Sequence, residues 1–362
     1  MKILVAGDWH STIHEEPVAN ALVALDQTVC RFPWHPYFAI PTGRASKPLA
    51  IARKFQRKYL LGPSFSRMNR DLVATARREQ PDALFIYRGT HLSASTLRRI
   101  RQAVPRVVIV GYNNDDPFSP RYPRWMWRHF RDSLPEYDLV LAYRQHNLAD
   151  FRNAGARRVE LWRSWFIPAA NHPDELTPAD HERYDCDVVF AGHFEADERI
   201  AYLDAIARAG YRLRIFGPDY PAQLDAPHLQ SLLPIRAVRG EEYNKALCGA
   251  KIALCFLSKL NRDTYTRRNF EIPATRTLML SEYTADLASL FSEDVEAAFF
   301  RSPQELLEKI AYYLDHDNQR AAVAAAGYQR VWADGHDITS RVRQLLRWIE
   351  ALKDSENHGL PE

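Results

Sequence analysis

The densest set of chemistry-bearing side chains lies in DTYTRRNFEIPATRTLMLSE, residues 263–282, where Arg267 and Arg268 stand between Asp263 and Glu271. Guanidinium forks match the geometry of phosphate oxygens. A short helix beginning near the arginines would add free backbone N–H groups, which also favour anions. A neighbouring carboxylate accepts hydrogen bonds from a ribose or hexose diol. Together these types suit a ligand built as sugar, pyrophosphate and nucleoside. A surface salt-bridge cluster would use the same residues, and the pattern alone does not separate the two.

Further candidates follow apolar runs. Gly192-His193-Phe194 and Gly217-Pro218-Asp219-Tyr220 both begin where such a run stops. Glycine there lets backbone approach a ligand closely, although an ordinary tight turn uses it equally well. Arg199 is a candidate phosphate contact or a solvated helix residue. Tyr243 is expected to open a helix after a strand at 235–238, where it either stacks on a base or joins the core. In the first half, Gly7-Asp8-Trp9-His10 lacks the GxGxxG pattern, so dinucleotide binding is not inferred. Asp8 or His10 would serve as general base toward an acceptor hydroxyl, unless Asp8 only caps the next helix. Arg88-Gly89-Thr90-His91 and Asn113-Asn114-Asp115-Asp116-Pro117 end two more runs. The paired aspartates are functional acids, turn formers or ligands for a divalent metal.

These positions need a scaffold. KILVAG (2–7), DALFIYRG (82–89), RVVIVGYNND (106–115) and DLVLAYR (138–144) are apolar runs of strand length. Runs without alternation fit strands buried on both faces. Helical stretches at 66–79 and 93–103 separate some of them. The alternation resumes at DVVFAGH (187–193), a helix over 196–209, RLRIFG (212–217), KIALCFLS (251–258), TLMLSE (277–282) and EAAFF (296–300). Strand–helix alternation predicts parallel βαβ units and doubly wound α/β sheets. Residues 165–182 carry three prolines and scattered charge, and read as a linker between two such sheets. Ser302-Pro303-Gln304-Glu305 is a capping box. A last helix from about Asp337 aligns Ile338, Val342, Leu345 and Ile349.

The total of 362 residues suits two domains. The opening MKILVAGDWH reads as a first strand rather than a signal peptide, and no run is long enough to suggest a transmembrane helix. Cys30, Cys186, Cys248 and Cys255 lack CxxC spacing and read as reduced thiols, so a cytoplasmic location is expected. Charge is uneven. Residues 1–168 hold 26 Lys/Arg against 14 Asp/Glu, or +12, although the whole chain carries only +3. That half is expected to attract an anionic partner. Residues 43–70 contain eight Lys/Arg and no acid, with Leu49, Ile51, Phe55 and Tyr59 interleaved. RYPRWMWRHFR (121–131) adds four arginines. These stretches either lie on an anionic bilayer at the inner face of the membrane or form a solvated face over a core-facing stripe. No nucleic-acid-binding signature is present, and no such partner is expected.

The stretch Tyr265–Glu282, with LFSEDVEAAFFRSPQELLEKIAYYLDHDNQRAAVAAAGYQRV after it, resembles the C-terminal domain of CgeB-type (spore-maturation-like) group-one glycosyltransferases. The likeness is strongest over about 250–335. It implies a GT-B fold: two facing Rossmann-like domains, 1–168 for the acceptor and 169–336 for the donor, with 337–362 crossing back. It further implies transfer of a hexose from a nucleotide diphosphate sugar to an acceptor hydroxyl of a glycan, a lipid-linked or a protein acceptor, and the positive charge of residues 1–168 suits an anionic or lipid-linked glycan among these. No cofactor and no metal are implied. In the wider group two glutamates eight apart contact the donor sugar and the ribose. Glu271 matches the second, and the shorter Asp263 stands for the first. Ala274 matches the small residue after the motif, but Thr275 and Arg276 replace the usual following glycine. The loops at Gly192 and Gly217 would border pyrophosphate and base, His91 would contact the sugar, and Asp115 and Asp116 match the family's DDP feature. A non-catalytic sugar-nucleotide or glycan-binding module, or a nucleotide-sugar epimerase of similar architecture, would keep the same fold.

Overall fold

The apolar run KILVAG forms β1 (Lys2–Gly7), with Ile3 to Ala6 fully buried. It lies inside a six-stranded parallel sheet with β2 (Thr28–Pro33), β3 (Ala83–Tyr87), β4 (Val108–Asn113), β5 (Leu139–Ala142) and β6 (Val159–Leu161), ordered β2-β1-β3-β4-β5-β6. β3, β4 and β5 are buried throughout, as uninterrupted apolar runs require. A second parallel sheet contains β7 (Cys186–Ala191), β8 (Leu213–Phe216), β9 (Ala250–Cys255), β10 (Leu278–Glu282) and β11 (Ala298–Phe300), ordered β11-β10-β9-β7-β8. The computed structural model describes residues 1–39 and 47–357. It divides into Met1–Arg163 with Ile338–Glu362, and Ser164–Asp337, each unit holding one sheet. Each sheet has its own apolar core.

Both strand orders contain a reversal. The chain leaves β1 for β2 on one side and reaches β3 on the other, and it leaves β7 for β8 before returning to β9. Loops diverge at such points and leave a crevice at the carboxyl ends of the strands, where ligands of α/β sheets sit. The first crevice lies between β1 and β3, the second between β7 and β9.

The final helix, Ile338–Asn357, buries Val342, Leu345 and Ile349 and packs on the helix Glu15–Ala24 of the first unit. Trp162 Nε1 donates to the Arg341 carbonyl at 2.9 Å, and Lys353 pairs with Asp82.

Three sequence expectations need correction. Residues 165–182 are packed into the second unit. Trp165 and Phe166 are fully buried, Phe166 N–H donates to the His336 carbonyl, and Pro178–Tyr184 is a helix closed by a Thr177–Asp180 capping box. The prolines break the periodicity, but the aromatic anchors fix the chain. Residues 235–238 form no strand; their one ladder-like bond runs from Gly217 N–H to the Arg236 carbonyl. β2 and β6 were missed. β2 is a half-exposed edge strand with Arg31 in its middle, and β6 has only three residues.

Candidate functional site

The crevice of the second unit is built around Arg268. β9 ends at Cys255, and the loop that follows leads to the helix Arg268–Ala274. Arg268 N–H donates to Thr266 Oγ1 at 3.1 Å, and its guanidinium reaches the Phe256 carbonyl at 3.4 Å. It also lies over the Phe190 ring, 5.9 Å from the centroid. The guanidinium therefore sits where β7 and β9 end. Gly192 follows β7, and a Cβ there would stand 2.6 Å from the Phe190 ring and 3.4 Å from Arg268 Cζ. Glycine keeps that face of the cation uncovered. Gly217, after β8, is tighter still: an added Cβ would lie 1.8 Å from the Gly192 carbonyl oxygen. The two glycines allow backbone to pack on backbone, so the loops converge.

Glu271 sits one turn beyond Arg268 and is buried. Its Oε2 accepts from the Tyr243 hydroxyl at 2.8 Å. Burial pushes the Glu271 carboxyl above the ordinary carboxylate range, against the opposing pull of Arg267 and Arg268. Tyr243 is thus a support for the carboxylate, and burial together with Glu271 holds its phenol well above the usual value. Arg267 stacks on Trp165, 5.1 Å from the ring centroid. Asp263 lies on the same loop, half-buried, with its N–H donating to the Ser258 carbonyl at 2.9 Å.

Arg199, expected as a phosphate contact, is placed as a strut. Its side chain is 2% exposed and paired with Asp197 at 2.8 Å and Glu195 at 3.2 Å. It also donates to the His193 and Leu257 carbonyls, joining the loops after β7 and β9. His193 itself is exposed, 3.6 Å from Asp219. Tyr220 packs edge-on to Phe194 with ring centroids 5.4 Å apart. Burial raises its hydroxyl to about 12. The Tyr220 hydroxyl and Arg268 Nε are buried donors without a partner among the described residues. An anion in this crevice would satisfy them. Two cavities of this unit, about 490 and 410 Å³, share Asp185, Cys186 and Arg212; the first lies at the amino ends of β7, β9 and β10, and the second runs along the edge strand β8.

In the first unit, a cavity of about 470 Å³ opens at the crevice between β1 and β3. Asp8, His10, Glu15, His35, Arg88 and His91 line it. Asp8 does not cap the helix Glu15–Ala24, whose N-cap is His14. Its two oxygens instead meet His10 Nδ1 at 2.6 Å and His35 Nδ1 at 3.3 Å. The imidazoles stack 5.6 Å apart. Glu15 closes the loop from behind. It is buried, accepts from Asp8 N–H at 2.8 Å, and has its carboxyl raised by desolvation. His91 packs on Trp34 and Phe38 and bonds Thr90 Oγ1 at 2.9 Å. Burial and nearby Arg88 hold its pKa down, to about 3, so it is a neutral hydrogen-bonding group at ordinary pH.

The aspartates after β4 divide. Asp115 pairs with Arg88. Asp116 is fully buried and accepts from Phe118 N–H and Asn147 Nδ2, both at 3.0 Å, with His146 Nε2 at 3.4 Å. It holds the loop. Among the described residues, Asp8–His10–His35 and Asp116–His146–Asp150 bring metal-capable atoms together. Sequence reasoning missed Glu15, His35 and Trp165. His35 follows the unrecognised β2, and Trp165 lies in the presumed linker.

Residues 199–347 match a family model described as "Glycosyl transferase-like". No curated protein matches the chain. Among solved structures, HepE of Anabaena in complex with UDP and glucose is 13% identical, with 97% of this chain and 100% of that chain covered and a TM-score of 0.66. Sucrose-phosphate synthase of Thermosynechococcus elongatus is 13% identical, covering 97% and 99% at a TM-score of 0.68. A putative UDP-N-acetylglucosamine 2-epimerase of Listeria monocytogenes is 11% identical, covering 98% and 97% at 0.62. At these identities the likeness is one of fold: two Rossmann-like α/β domains with GT-B neighbours.

Proposed function

We propose that the chain is a CgeB-type glycosyltransferase that moves a hexose from a nucleotide diphosphate sugar to an acceptor hydroxyl. The observation that carries this is the Arg268–Glu271–Tyr243 assembly at the β7/β9 crevice, inside the segment that matches the glycosyltransferase-like model. Arg268 and Arg267 would stabilise the diphosphate as the bond from sugar C1 to its oxygen breaks and charge gathers there. Glu271, fixed by Tyr243, would accept from the ribose hydroxyls. These cations meet the leaving group's charge, so the reaction as proposed runs without a metal step. Asp263 would reach the donor sugar from the same loop.

On the acceptor side, His10 is the base we favour. Asp8 holds its Nδ1, leaving Nε2 to take the proton from the attacking hydroxyl. Neutral His91 would donate to or accept from a sugar hydroxyl, and Arg88 would face an anionic acceptor. The four free cysteines support a reducing, cytoplasmic setting. Among the described residues no helix is long and apolar enough to cross a membrane.

The test is a panel of nucleoside diphosphates and their sugars. The proposal expects binding by the intact chain that Arg268→Ala weakens, with slow donor hydrolysis when no acceptor is supplied. Binding without turnover would favour a non-catalytic module. Release of an epimerised free sugar nucleotide, the chemistry named for the Listeria neighbour, would favour an epimerase. No binding, or unchanged affinity in Arg268→Ala, would remove the donor site.

A further inference from the structure

The helix Lys47–Tyr59 exposes large apolar side chains beside its lysines. Two of its polar residues turn to the protein: Arg53 donates to the Ala39 carbonyl at 2.8 Å, and Gln56 Oε1 accepts from Ser64 N–H at 2.8 Å. Its apolar residues face out, with Ile51 67% and Phe55 51% exposed. Ile51 and Phe55 are four apart, so they share one stripe. Lys54 lies three positions after Ile51 and Lys58 three after Phe55, both are exposed, and the helix contains no acid. The end of the helix is anchored. Arg128 donates to the Tyr59 carbonyl at 2.6 Å, and His129 Nε2 contacts the Leu60 carbonyl at 2.7 Å. The core-facing apolar stripe of the sequence reading is therefore absent at Ile51 and Phe55, whereas Leu60 after the helix and Trp127 and Phe130 of the 121–131 stretch are buried as that reading expected.

An outward apolar stripe bordered by lysines matches the boundary between anionic headgroups and acyl chains. We infer that this helix docks the first unit on an anionic bilayer, with Ile51 and Phe55 entering the acyl boundary and Lys54 meeting the headgroups. Charge complementarity selects this occupant: residues 1–168 carry +12, from 26 Lys/Arg against 14 Asp/Glu. Arg57 and Lys58 of the same helix line the cavity at the β1/β3 crevice. Docking would place that cavity beside the membrane surface, where an anionic lipid-linked acceptor would be met. The inference stands on the first unit alone and does not require the donor-site reading.

The test uses the full chain with vesicles of phosphatidylcholine alone or mixed with phosphatidylglycerol, read by co-sedimentation. Binding is expected only to the mixed vesicles and should weaken at high salt. The variant Ile51→Glu/Phe55→Glu should lose about tenfold or more in vesicle affinity, and Lys54→Glu should lose less. Nucleotide affinity should stay at the wild-type value in both, which separates failed docking from a failed donor site. Equal binding to neutral vesicles, or a double variant that binds like wild type, would overturn the inference. Loss in Lys54→Glu alone would reduce it to surface ion pairing and also overturn it. So would a concentration-dependent dimer that the double variant dissolves, because a second copy would then cover the stripe.

Discussion

Replacing Glu271 by glutamine separates a functional carboxylate from a structural one. Burial raises the Glu271 carboxyl in the folded protein, even with Arg267 and Arg268 nearby. For a carboxyl raised on folding, the folded state holds its proton more tightly than the unfolded chain. Stability from this group is thus greatest in acid and is lost as pH rises through the folded value. At neutral pH the charged form is a burden on the fold. Glutamine is neutral and keeps an acceptor for the Tyr243 hydroxyl, so Glu271→Gln should unfold at equal or higher denaturant than wild type. Nucleotide binding should move the other way. A hydrogen bond to a charged group contributes about 1.5–3 kcal/mol, or roughly ten- to a hundredfold in affinity. Glu271→Ala is the contrast: it strands the Tyr243 hydroxyl and should cost about 1–3 kcal/mol of stability. Calorimetric titration with UDP, then with other nucleoside diphosphates, and urea unfolding read both arms. A Glu271→Gln variant that is less stable yet binds nucleotide as wild type does would refute the reasoning and make Glu271 a structural residue.

Other consequences follow from the same geometry. Gly217→Ala forces a methyl against the Gly192 carbonyl, which should cost about 1–3 kcal/mol in urea unfolding and weaken nucleotide binding by opening the crevice. His91, held down to about 3 from 6.5, binds protons in the unfolded chain first, so its contribution is lost as pH falls from 6.5 toward 3. Between about pH 6.5 and 5, wild type should lose about 1 kcal/mol more stability than His91→Gln, after allowance for the partial exposure of the ring. Asp8→Asn leaves His10 without a charged orienter and should lower kcat by about a hundredfold or more while the donor KM holds; an unchanged kcat would reject His10 as the base.

Most of the two-sheet plan was legible because central parallel strands are buried on both faces and read as plain apolar runs. VVIVGYN and KIALC show this directly. The same rule hides an edge strand such as TVCRFP, which needs only one buried face, and a three-residue strand such as VEL. Arg268 and Glu271 stood out by residue type and by the family resemblance, while the pattern alone fitted a surface salt-bridge cluster equally well; that both lie on one short helix, with Glu271 buried, came only with the structure. Arg199 was equally basic, and its acidic partners stand only four and two residues back; what no local pattern shows is its bond to the Leu257 carbonyl, which makes it a tie between two loops. The Asp8–His10–His35 group was half visible for a similar reason. His35 arrives only through the register of β2 on β1, with Gly7 opposite Pro33. The outward turn of Ile51 and Phe55 was not readable either, since a helical wheel gives a stripe but not its direction.

The most direct measurement is a crystal structure of this chain with a bound nucleoside diphosphate. The account predicts the diphosphate at the carboxyl ends of β7 and β9, with the Arg268 guanidinium and the Tyr220 hydroxyl in hydrogen-bonding reach and Glu271 on the ribose. A diphosphate in the cavity near Arg212 and Arg276, at the amino ends of the strands, with Arg268 untouched, would contradict it.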